Sequence, residues 1–327
     1  MIKRRQFIAG LGSAAAWPLA ARAQQPTMPV VGFLGPQSAD NEYKYIVVPF
    51  LQGLKESGYV EGQNVAVEYR YAENQMDRLP ALAADLVRRR VAVIVAGGTE
   101  AVLAAKAATT TIPLVVSTAV DPVALGLVAS LNRPGANLTG IAGLTGELAP
   151  KRLQLLRDLV PNAIRFGILV DPGSPARPSL IADLLSAARA LGRQVVVVNA
   201  RTDSDLETAF TTLSQQGVGA VLVSPSTFFD RRMEQLAALA TRHALPAIMS
   251  FREFALVGGL MSYGTSLGYA YQQAGIYAAR ILKGDKPVNL PVQQITKIDL
   301  VINLKTAKAL GLTIPETLLA TADEVVQ

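Results

Sequence analysis

Residues 86–100 read LVRRRVAVIVAGGTE, and residues 213–227 read LSQQGVGAVLVSPST. In both stretches a helical segment ends, an apolar run follows, and a loop of small residues comes after it. Two further pairs occur in the same order: VGFLGPQS (31–38) with FGILVDPGS (166–174), and ATTTIPLVVST (108–118) with ATRHALPAIMS (240–250). Three matches in one order indicate a chain in which one α/β unit is built twice.

Short apolar runs alternate with Ala- and Leu-rich segments outward from these pairs, the pattern of parallel sheets whose strands are connected by helices. We predict strands at 30–35, 65–71, 91–97, 113–118, 138–142, 165–170, 194–199, 219–224 and 246–250. We predict helices at 44–57, 77–90, 100–109, 122–131, 147–159, 178–191, 204–216 and 230–243. The central strands are apolar throughout, as expected for sheets covered by helices on both faces.

The last third of the chain breaks this alternation. Here we predict, in order, a strand, a helix, a strand and a helix, at 260–263, 267–283, 293–303 and 304–310. Since 327 residues exceed one comfortable core, we expect two lobes: residues 28–143 plus 258–285 in an N-terminal lobe, and 147–251 plus 291–327 in a C-terminal lobe. The chain then crosses between the lobes near 142–147, 251–259 and 285–293. A three-crossover hinge of this kind permits the lobes to close around a cleft.

Composition excludes several classes of protein. Half of the residues are hydrophobic and 17% are charged, which excludes a disordered chain and a coiled coil. The absence of cysteine excludes a disulfide framework, thiolate metal sites and a thiol nucleophile, and the single histidine, His243, argues against histidine-rich metal sites and Ser-His-Asp catalysis. Four of the 31 basic residues precede residue 24, so 27 basic groups face 25 acidic groups in the rest. Such a nearly neutral body argues against nucleic-acid binding.

The N-terminal segment 1–23 is typical of an export signal. A basic start (Lys3-Arg4-Arg5) precedes an apolar stretch that ends in the small-x-small pattern Ala21-Arg22-Ala23. The stretch is too short and too interrupted by glycine and proline to span a bilayer stably. The string RRQFI (4–8) is similar to a twin-arginine signal, the route for proteins exported already folded. We therefore expect a periplasmic protein cleaved after about Ala23.

Ligands of open parallel sheets bind at the carboxyl ends of the strands, and the loops predicted there are rich in hydroxyl groups. Gly97-Gly98-Thr99 opens a helix whose backbone N–H groups can receive a carboxylate; alternatively, Thr99 only caps that helix. Asp121 follows the next strand and can pair with a ligand ammonium, or it can merely cap the predicted 122–131 helix. Nucleophile motifs such as Ser-x-x-Lys and Gly-x-Ser-x-Gly are absent. Such a cleft fits binding better than turnover, so we predict neither enzymatic activity nor a cofactor or metal.

Three further stretches carry a family resemblance: DPVALGLVASLNRPGANLTGI (121–141), GGLMSYG (258–264) and the block 278–326 that begins AARILKGDKPVNLPV. Together with the exported start, the chain resembles ABC-transporter substrate-binding proteins of the tryptophan/tyrosine-binding type. The resemblance implies a periplasmic-binding-protein type I fold with two Rossmann-like lobes. It also implies a ligand bound between the lobes, at the positions Gln37, Thr99, Thr118, Asp121, Ser224 and Tyr263.

The expected function is the solute-binding component of an ABC importer. Such a protein, expected to be a monomer, captures a small ligand and delivers it to a permease that a separate ATPase powers in the inner membrane. The expected ligand is an amino acid, with the aromatic ones included. Two alternatives remain open: an exported enzyme on a similar two-lobe scaffold, and a ligand-sensing regulator of the same fold. A regulator would need a DNA-binding helix pair at the N-terminus, where this sequence has its export signal.

Overall fold

Two β-sheets organise the chain in the computed structural model, which describes residues 28–39, 43–143, 145–174 and 176–327. The predicted export signal, residues 1–23, lies outside the described residues. The strands, numbered along the chain, are β1 (Val30–Gly35), β2 (Ala66–Tyr71), β3 (Val93–Gly97), β4 (Leu114–Thr118), β5 (Leu138–Ala142), β6 (Arg165–Val170), β7 (Gln194–Asn199), β8 (Ala220–Val223), β9 (Ala247–Met249), β10 (Met261–Gly264), β11 (Gln293–Gln294), β12 (Asp299–Asn303) and β13 (Glu324–Val326).

Twelve α-helices lie among the described residues. They are α1 (Val48–Glu56), α2 (Leu79–Arg88), α3 (Thr99–Ala108), α4 (Ala149–Leu159), α5 (Arg177–Ala190), α6 (Asp203–Gln215), α7 (Thr227–Asp230), α8 (Met233–Arg242), α9 (Glu253–Leu256), α10 (Leu267–Leu282), α11 (Leu304–Ala309) and α12 (Glu316–Thr321). The sequence did not predict the two four-residue helices α7 and α9 as separate elements, nor the C-terminal α12 and β13, which are too short for a clear periodicity.

The two sheets have matching strand orders. The first sheet has six strands in the order β11-β5-β4-β3-β1-β2, all parallel. The second has seven, in the order β13-β12-β10-β9-β8-β6-β7, parallel except for the pair β10–β12. Reading each sheet from its last strand, β2-β1-β3-β4-β5 corresponds to β7-β6-β8-β9-β10. The three matched sequence pairs fall on β1/β6, β3/β8 and β4/β9, so the internal repeat predicted from sequence is present in the topology.

Each sheet carries an apolar layer on both faces, as the strand sequences require. Along β3, Val93 and Val95 belong to the layer under α1 and α10, whereas Ile94 and Ala96 belong to the opposite layer under α2 and α3. This alternation follows from the two-residue period of a strand. Because every residue of β3 is buried, both faces of the strand are covered by helices. The second sheet is covered in the same way by two further apolar clusters.

Helices α1 and α10 join distant parts of the chain within the first lobe. A Cβ added to Gly53 of α1 would lie 2.0 Å from the carbonyl oxygen of Gln272, and a Cβ added to Gly275 of α10 would lie 2.2 Å from that of Phe50. These two glycines therefore allow the helix backbones to touch, a packing that larger residues would prevent.

The chain crosses between the sheets three times among the described residues: between β5 and α4, between β10 and α10, and between β11 and β12. Two crossings lie elsewhere than predicted. The GGLMSYG strand, assigned above to the N-terminal lobe, is β10 and pairs with β9 and β12 in the second sheet. The reason is topological: β10 is the counterpart of β5, so the second unit completes its fifth strand before the chain crosses back.

Two element predictions are also wrong. The single strand 293–303 is two strands, because β11 pairs with β5 in the first sheet whereas β12 pairs with β10 in the second. The helix predicted at 122–131 is a series of turns. Gly126 adopts a left-handed φ of 63°, and the Leu127 amide donates to the Pro122 carbonyl 2.8 Å away, so the helical hydrogen-bond ladder never forms.

Candidate functional site

A cavity of about 80 Å³ lies between the two lobes, at the carboxyl ends of strands from both sheets. The first lobe lines it with the loops after β1, β3 and β4, and the second with the loops after β6, β8 and β9. Gly143, Thr265 and Ile295, which lie at or beside the three crossings, complete the lining. The cavity is therefore bounded by both lobes and by the segments that connect them, the place where ligands of paired α/β sheets bind.

The first-lobe wall is built around the start of α3. Gly98 has a φ of 80°, and no side chain caps the helix. A Cβ added to Gly97 would lie 1.7 Å from the Tyr271 hydroxyl oxygen, so glycine is required for this close approach. Because no side chain caps this helix start, its first-turn N–H groups and the positive end of the helix dipole can receive a polar group in the cavity.

The equivalent loop of the second lobe is closed by its own side chains. The Ser226 hydroxyl accepts a hydrogen bond from the Phe228 amide (3.1 Å) and donates one to Oδ2 of Asp171 (2.6 Å). Oδ1 of Asp171 accepts from the Gly173 amide (2.8 Å), and Asp171 is buried. The loops after β6 and β8 are thereby tied together, and the N-terminus of α7 is capped.

The two walls are also in direct contact. The Thr227 hydroxyl donates to a carboxylate oxygen of Glu100 across the cleft, with 3.0 Å between the two oxygens. Arg231 donates from Nε to the Thr227 carbonyl and from Nη1 to the Asn74 amide oxygen of the first lobe, each over 2.8 Å. The Thr227–Glu100 and Arg231–Asn74 bonds therefore join the two lobes.

Asp230, the last residue of α7, lines the cavity and has an unusual environment. Its Oδ1 is enclosed and has no hydrogen-bond partner among the described residues. Burial raises the pKa of this carboxyl well above its ordinary value; Arg231 and Arg152 oppose the shift, whereas Glu100 and Glu253 add to it. A carboxyl oxygen that is enclosed without a donor is costly when the group is ionised, since nothing replaces the hydration that this oxygen has lost.

Three of the six predicted site residues line this cavity. Thr99 lies at the start of α3, and Gln37 follows β1 and is 8% exposed. Thr118, at the end of β4, also lines the cavity, but its hydroxyl already donates to the Val120 carbonyl and accepts from the Val120 amide, both over 3.1 Å. The structure thus brings Gln37, Thr99 and Thr118 together at one edge of the first sheet.

The other three predicted residues do not belong to the lining. Asp121 lines a neighbouring cavity of about 250 Å³, and its Oδ1 accepts from the Val123 amide (2.8 Å). Ser224 is buried at the end of β8. Tyr263 packs against the apolar cluster beneath α4 and α5, and its carbonyl accepts from Nε of Arg152 (2.7 Å). Asp121 and Ser224 do follow a strand, whereas Tyr263 lies within β10; the three side chains serve a turn, the interior and the core.

Neither a membrane-spanning helix nor a metal cluster is found in the part of the chain that the structure describes. No helix there is both long and apolar enough to cross a bilayer. No group of three or more histidine, cysteine, aspartate or glutamate side chains among those residues is placed to hold a metal ion.

Comparison with known proteins identifies the family. Residues 30–326 match the family model described as ABC transporter substrate binding protein. The chain belongs to this family. This substrate-binding protein is also 26% identical, over 263 residues, to a protein named "Tyrosine-binding protein" from Clostridioides difficile, a match that covers 80% of this chain and 75% of the relative.

Solved structures confirm the fold of this substrate-binding protein. A conserved domain protein from Vibrio cholerae shares 27% identity with a TM-score of 0.83, and a domain from Streptococcus pneumonia solved in complex with L-Trp shares 24% with a TM-score of 0.80. Each match covers 91% of this chain and 99% of the other. The predicted architecture, two α/β lobes of periplasmic-binding-protein type I, is confirmed.

Ser226, Thr227 and Asp230 are among the lining residues of this substrate-binding protein that sequence reasoning missed. Ser226 and Thr227 stand in the loop after β8 that matches the loop after β3, so the internal repeat could have singled them out. Asp230 gave a weaker signal, because the string FFDRR resembles the first turn of an exposed helix. Only the one-turn helix α7 carries it back to the cavity.

Proposed function

We propose that this protein is the solute-binding component of an ABC importer, which captures a small ligand in the cavity between its lobes and delivers it to a membrane permease. The observation that carries the proposal is the cavity itself. It is lined by strand-end loops of both sheets and by residues at all three crossings. A ligand bound there contacts both lobes at once, so its binding energy favours the closed arrangement.

The chemistry of the lining supports binding. Its polar groups include the hydroxyls of Ser174, Thr99 and Thr265, the Gln37 amide and the free start of α3. The hydroxyls of Ser226 and Thr227 are each engaged with a carboxylate of the cavity wall, and among the described residues neither is hydrogen-bonded to an imidazole or an amine that would activate it as a nucleophile. This arrangement suits hydrogen bonding to a ligand, so the protein acts as a binder, without an enzymatic step and without a cofactor.

The ligand in this proposal is an amino acid, and the aromatic ones are the first candidates. The named tyrosine-binding relative and the L-Trp complex of the pneumococcal domain support this class. Phe251 and Tyr271 line the cavity and offer aromatic surface to such a ligand. Export by the segment 1–23, with cleavage after about Ala23, would place the protein in the periplasm as a monomer that meets the permease and its ATPase at the inner membrane.

Two measurements on the purified protein test this function. A thermal-shift screen with amino acids, purines, sugars and small organic acids should find a compound that raises the melting temperature, since a ligand at 100 times its Kd adds about 2.7 kcal/mol to the free energy of unfolding. Small-angle scattering with and without that compound should then show a smaller radius of gyration in its presence. A stabilising compound that leaves the scattering curve unchanged would contradict capture by lobe closure.

A further inference from the structure

Arg231 joins the two lobes at a point outside the interlobe cavity. It follows α7 in the second lobe, whereas Asn74 belongs to the loop after β2 in the first lobe. Nη1 of Arg231 donates to the side-chain oxygen of Asn74 over 2.8 Å. Neither residue lines the cavity. The hydrogen bond between them is therefore independent of which ligand the cavity holds.

The first-lobe partner is held in place by its backbone. Glu73 and Asn74 have left-handed φ angles of 52° and 65°, and asparagine adopts this conformation more readily than most residues. The Glu73 amide donates to the Gln37 carbonyl (3.2 Å), and the Asn74 amide donates to the Pro36 carbonyl (3.0 Å). Gln37 and Pro36 both line the cavity. The loop that carries Asn74 is thus fixed to a loop that forms the cavity wall.

The second-lobe partner is held by its own helix. Nε of Arg231 donates to the carbonyl of Thr227, four positions earlier, over 2.8 Å, and the Arg231 side chain is half-buried. The guanidinium therefore loses little freedom when it reaches Asn74. A hydrogen bond from a charged donor contributes more than one between neutral groups. Because the two partners belong to different lobes, opening of the hinge separates them and breaks this bond.

We propose that the Asn74–Arg231 bond sets how long the lobes stay closed, by the same factor for every ligand. This inference rests on the proposed function and adds a regulation of its cavity from outside. A bond that forms only when the lobes meet raises the closed fraction of the protein, and the apparent affinity of each ligand that requires the closed form rises with that fraction. Dissociation slows as well, because the bond must break before the ligand can leave.

The first experiment removes the side chain of Asn74 and keeps its backbone conformation. Asn74→Gly does both, because glycine adopts a left-handed φ without strain. Glu73→Gly is the matched control, since Glu73 is the preceding residue, is exposed and also has a left-handed φ. Any effect of an added glycine on this loop is then common to the two variants, and only Asn74→Gly loses the bond to Arg231.

Both variants are titrated by calorimetry with tyrosine, tryptophan and leucine, and with any compound found by the thermal-shift screen. Dissociation rates are measured by stopped flow with the same compounds. We expect Asn74→Gly to weaken each ligand that binds by about tenfold and to raise its dissociation rate by a similar factor. Glu73→Gly should change neither the affinity nor the rate.

Asn74→Asp tests the same contact in the opposite direction. A carboxylate at this position makes an ionic hydrogen bond with Arg231, which is stronger than the bond from the amide oxygen. Dissociation should therefore be slower than in the unmodified protein. Because Asn74 is exposed, the gain should shrink as sodium chloride is raised from about 50 mM to about 500 mM.

A third measurement needs no ligand. The sequence contains no cysteine, so Asp77→Cys and Glu234→Cys place one spin label on each lobe, at exposed positions outside the cavity lining. Label-to-label distances are then measured by double electron–electron resonance. Asn74→Gly should shift their distribution to longer values than in the otherwise unmodified labelled protein, and Asn74→Asp should shift it to shorter ones.

The outcomes separate this inference from the proposed function. If a ligand binds and contracts the scattering envelope but Asn74→Gly loses no more affinity than Glu73→Gly, the function stands and the role of the bond is overturned. A loss that differs more than about threefold between ligands also overturns it, because a change in the closed fraction acts on all ligands alike. If none of the compounds binds, the proposed function fails. Label distances that are equal in the unmodified protein, Asn74→Gly and Asn74→Asp would then overturn the role of the bond as well.

Discussion

The loops after β3 and β8 occupy equivalent places in the two repeated units, yet the helix after β3 begins without a side-chain cap and the helix after β8 begins with one. After β3, Gly97 and Gly98 lead into the ten-residue α3 with no side-chain cap. After β8, Ser226 caps a helix of only four residues and is bonded to Asp171. The two loops face one another across the cavity and touch through Thr227 and Glu100.

The difference shows how a repeated unit can build two unlike walls. The first-lobe loop leaves the start of α3 without a side-chain cap, so it offers the ligand a helix start. The second-lobe loop satisfies its own donors and instead presents carboxyls. The first wall thus contributes an uncapped helix start, and the second contributes the carboxyls of Asp171 and Asp230.

The largest effect on stability is expected when a side chain is added to the first-lobe loop at Gly97. In Gly97→Ala the new Cβ would lie 1.7 Å from the Tyr271 hydroxyl oxygen and 2.7 Å from Cζ of that ring. Because the ring is buried, we expect a loss of about 3 kcal/mol in the free energy of unfolding, measured by urea denaturation. Gly146→Ala is the control, since its Cβ would meet nothing within 4 Å. Equal stability of the two variants would show that the first-lobe loop does not depend on glycine at this position.

A smaller effect on stability is expected when the second-lobe loop loses the hydroxyl of Ser226, which caps α7 and binds Asp171. Ser226→Ala removes the cap of α7 and the 2.6 Å bond to the buried Asp171, so we expect about 2 kcal/mol of destabilisation by thermal unfolding. Thr202→Ala removes a cap from the exposed start of α6 and should cost only about 1 kcal/mol. The excess measures the bond to Asp171. A loss no greater than that of the control would mean that Asp171 contributes nothing to closing this loop.

The smallest effect concerns the contact between the loops. Thr227→Val keeps the shape of the side chain and removes the hydroxyl that donates to Glu100. A single hydrogen bond is worth about 1 kcal/mol, so ligand affinity should fall about fivefold while the melting temperature without ligand stays within a few degrees. Thr241→Val, on α8 and bonded only to its own helix, should leave affinity unchanged. An affinity for Thr227→Val equal to that of the control would show that this bond does not favour closure.

Much of the fold was predictable because each α/β unit follows local rules. Strands β1, β5, β6 and β7 have the predicted bounds, since apolar runs flanked by glycine or polar residues define them. The last third of the chain was harder to predict. Strands β10 and β11 have only four and two residues, and β10 joins the second sheet whereas β11 joins the first. Such short strands are fixed by distant pairing, which no local pattern records.

The candidate site was predictable only in its location. The rule that ligands bind at strand ends predicted Thr99, and the family resemblance added Gln37 and Thr118; all three line the cavity. It could not tell that Tyr263 would pack into the core, because strand position does not specify which layer a side chain enters when both faces are apolar. Nor could it find Asp230, which depends on the length of α7.

The contact between α1 and α10 has a consequence for the order in which the protein becomes folded. The glycines that let these helices touch stand more than two hundred positions apart in the sequence. During synthesis the apolar face of α1 therefore stays uncovered until α10 has been made, which happens only after strands β6–β10 of the second lobe. A nascent chain released before α10 would expose that face, so the unit that is translated first is not complete until all five strands β6–β10 of the second unit have been made.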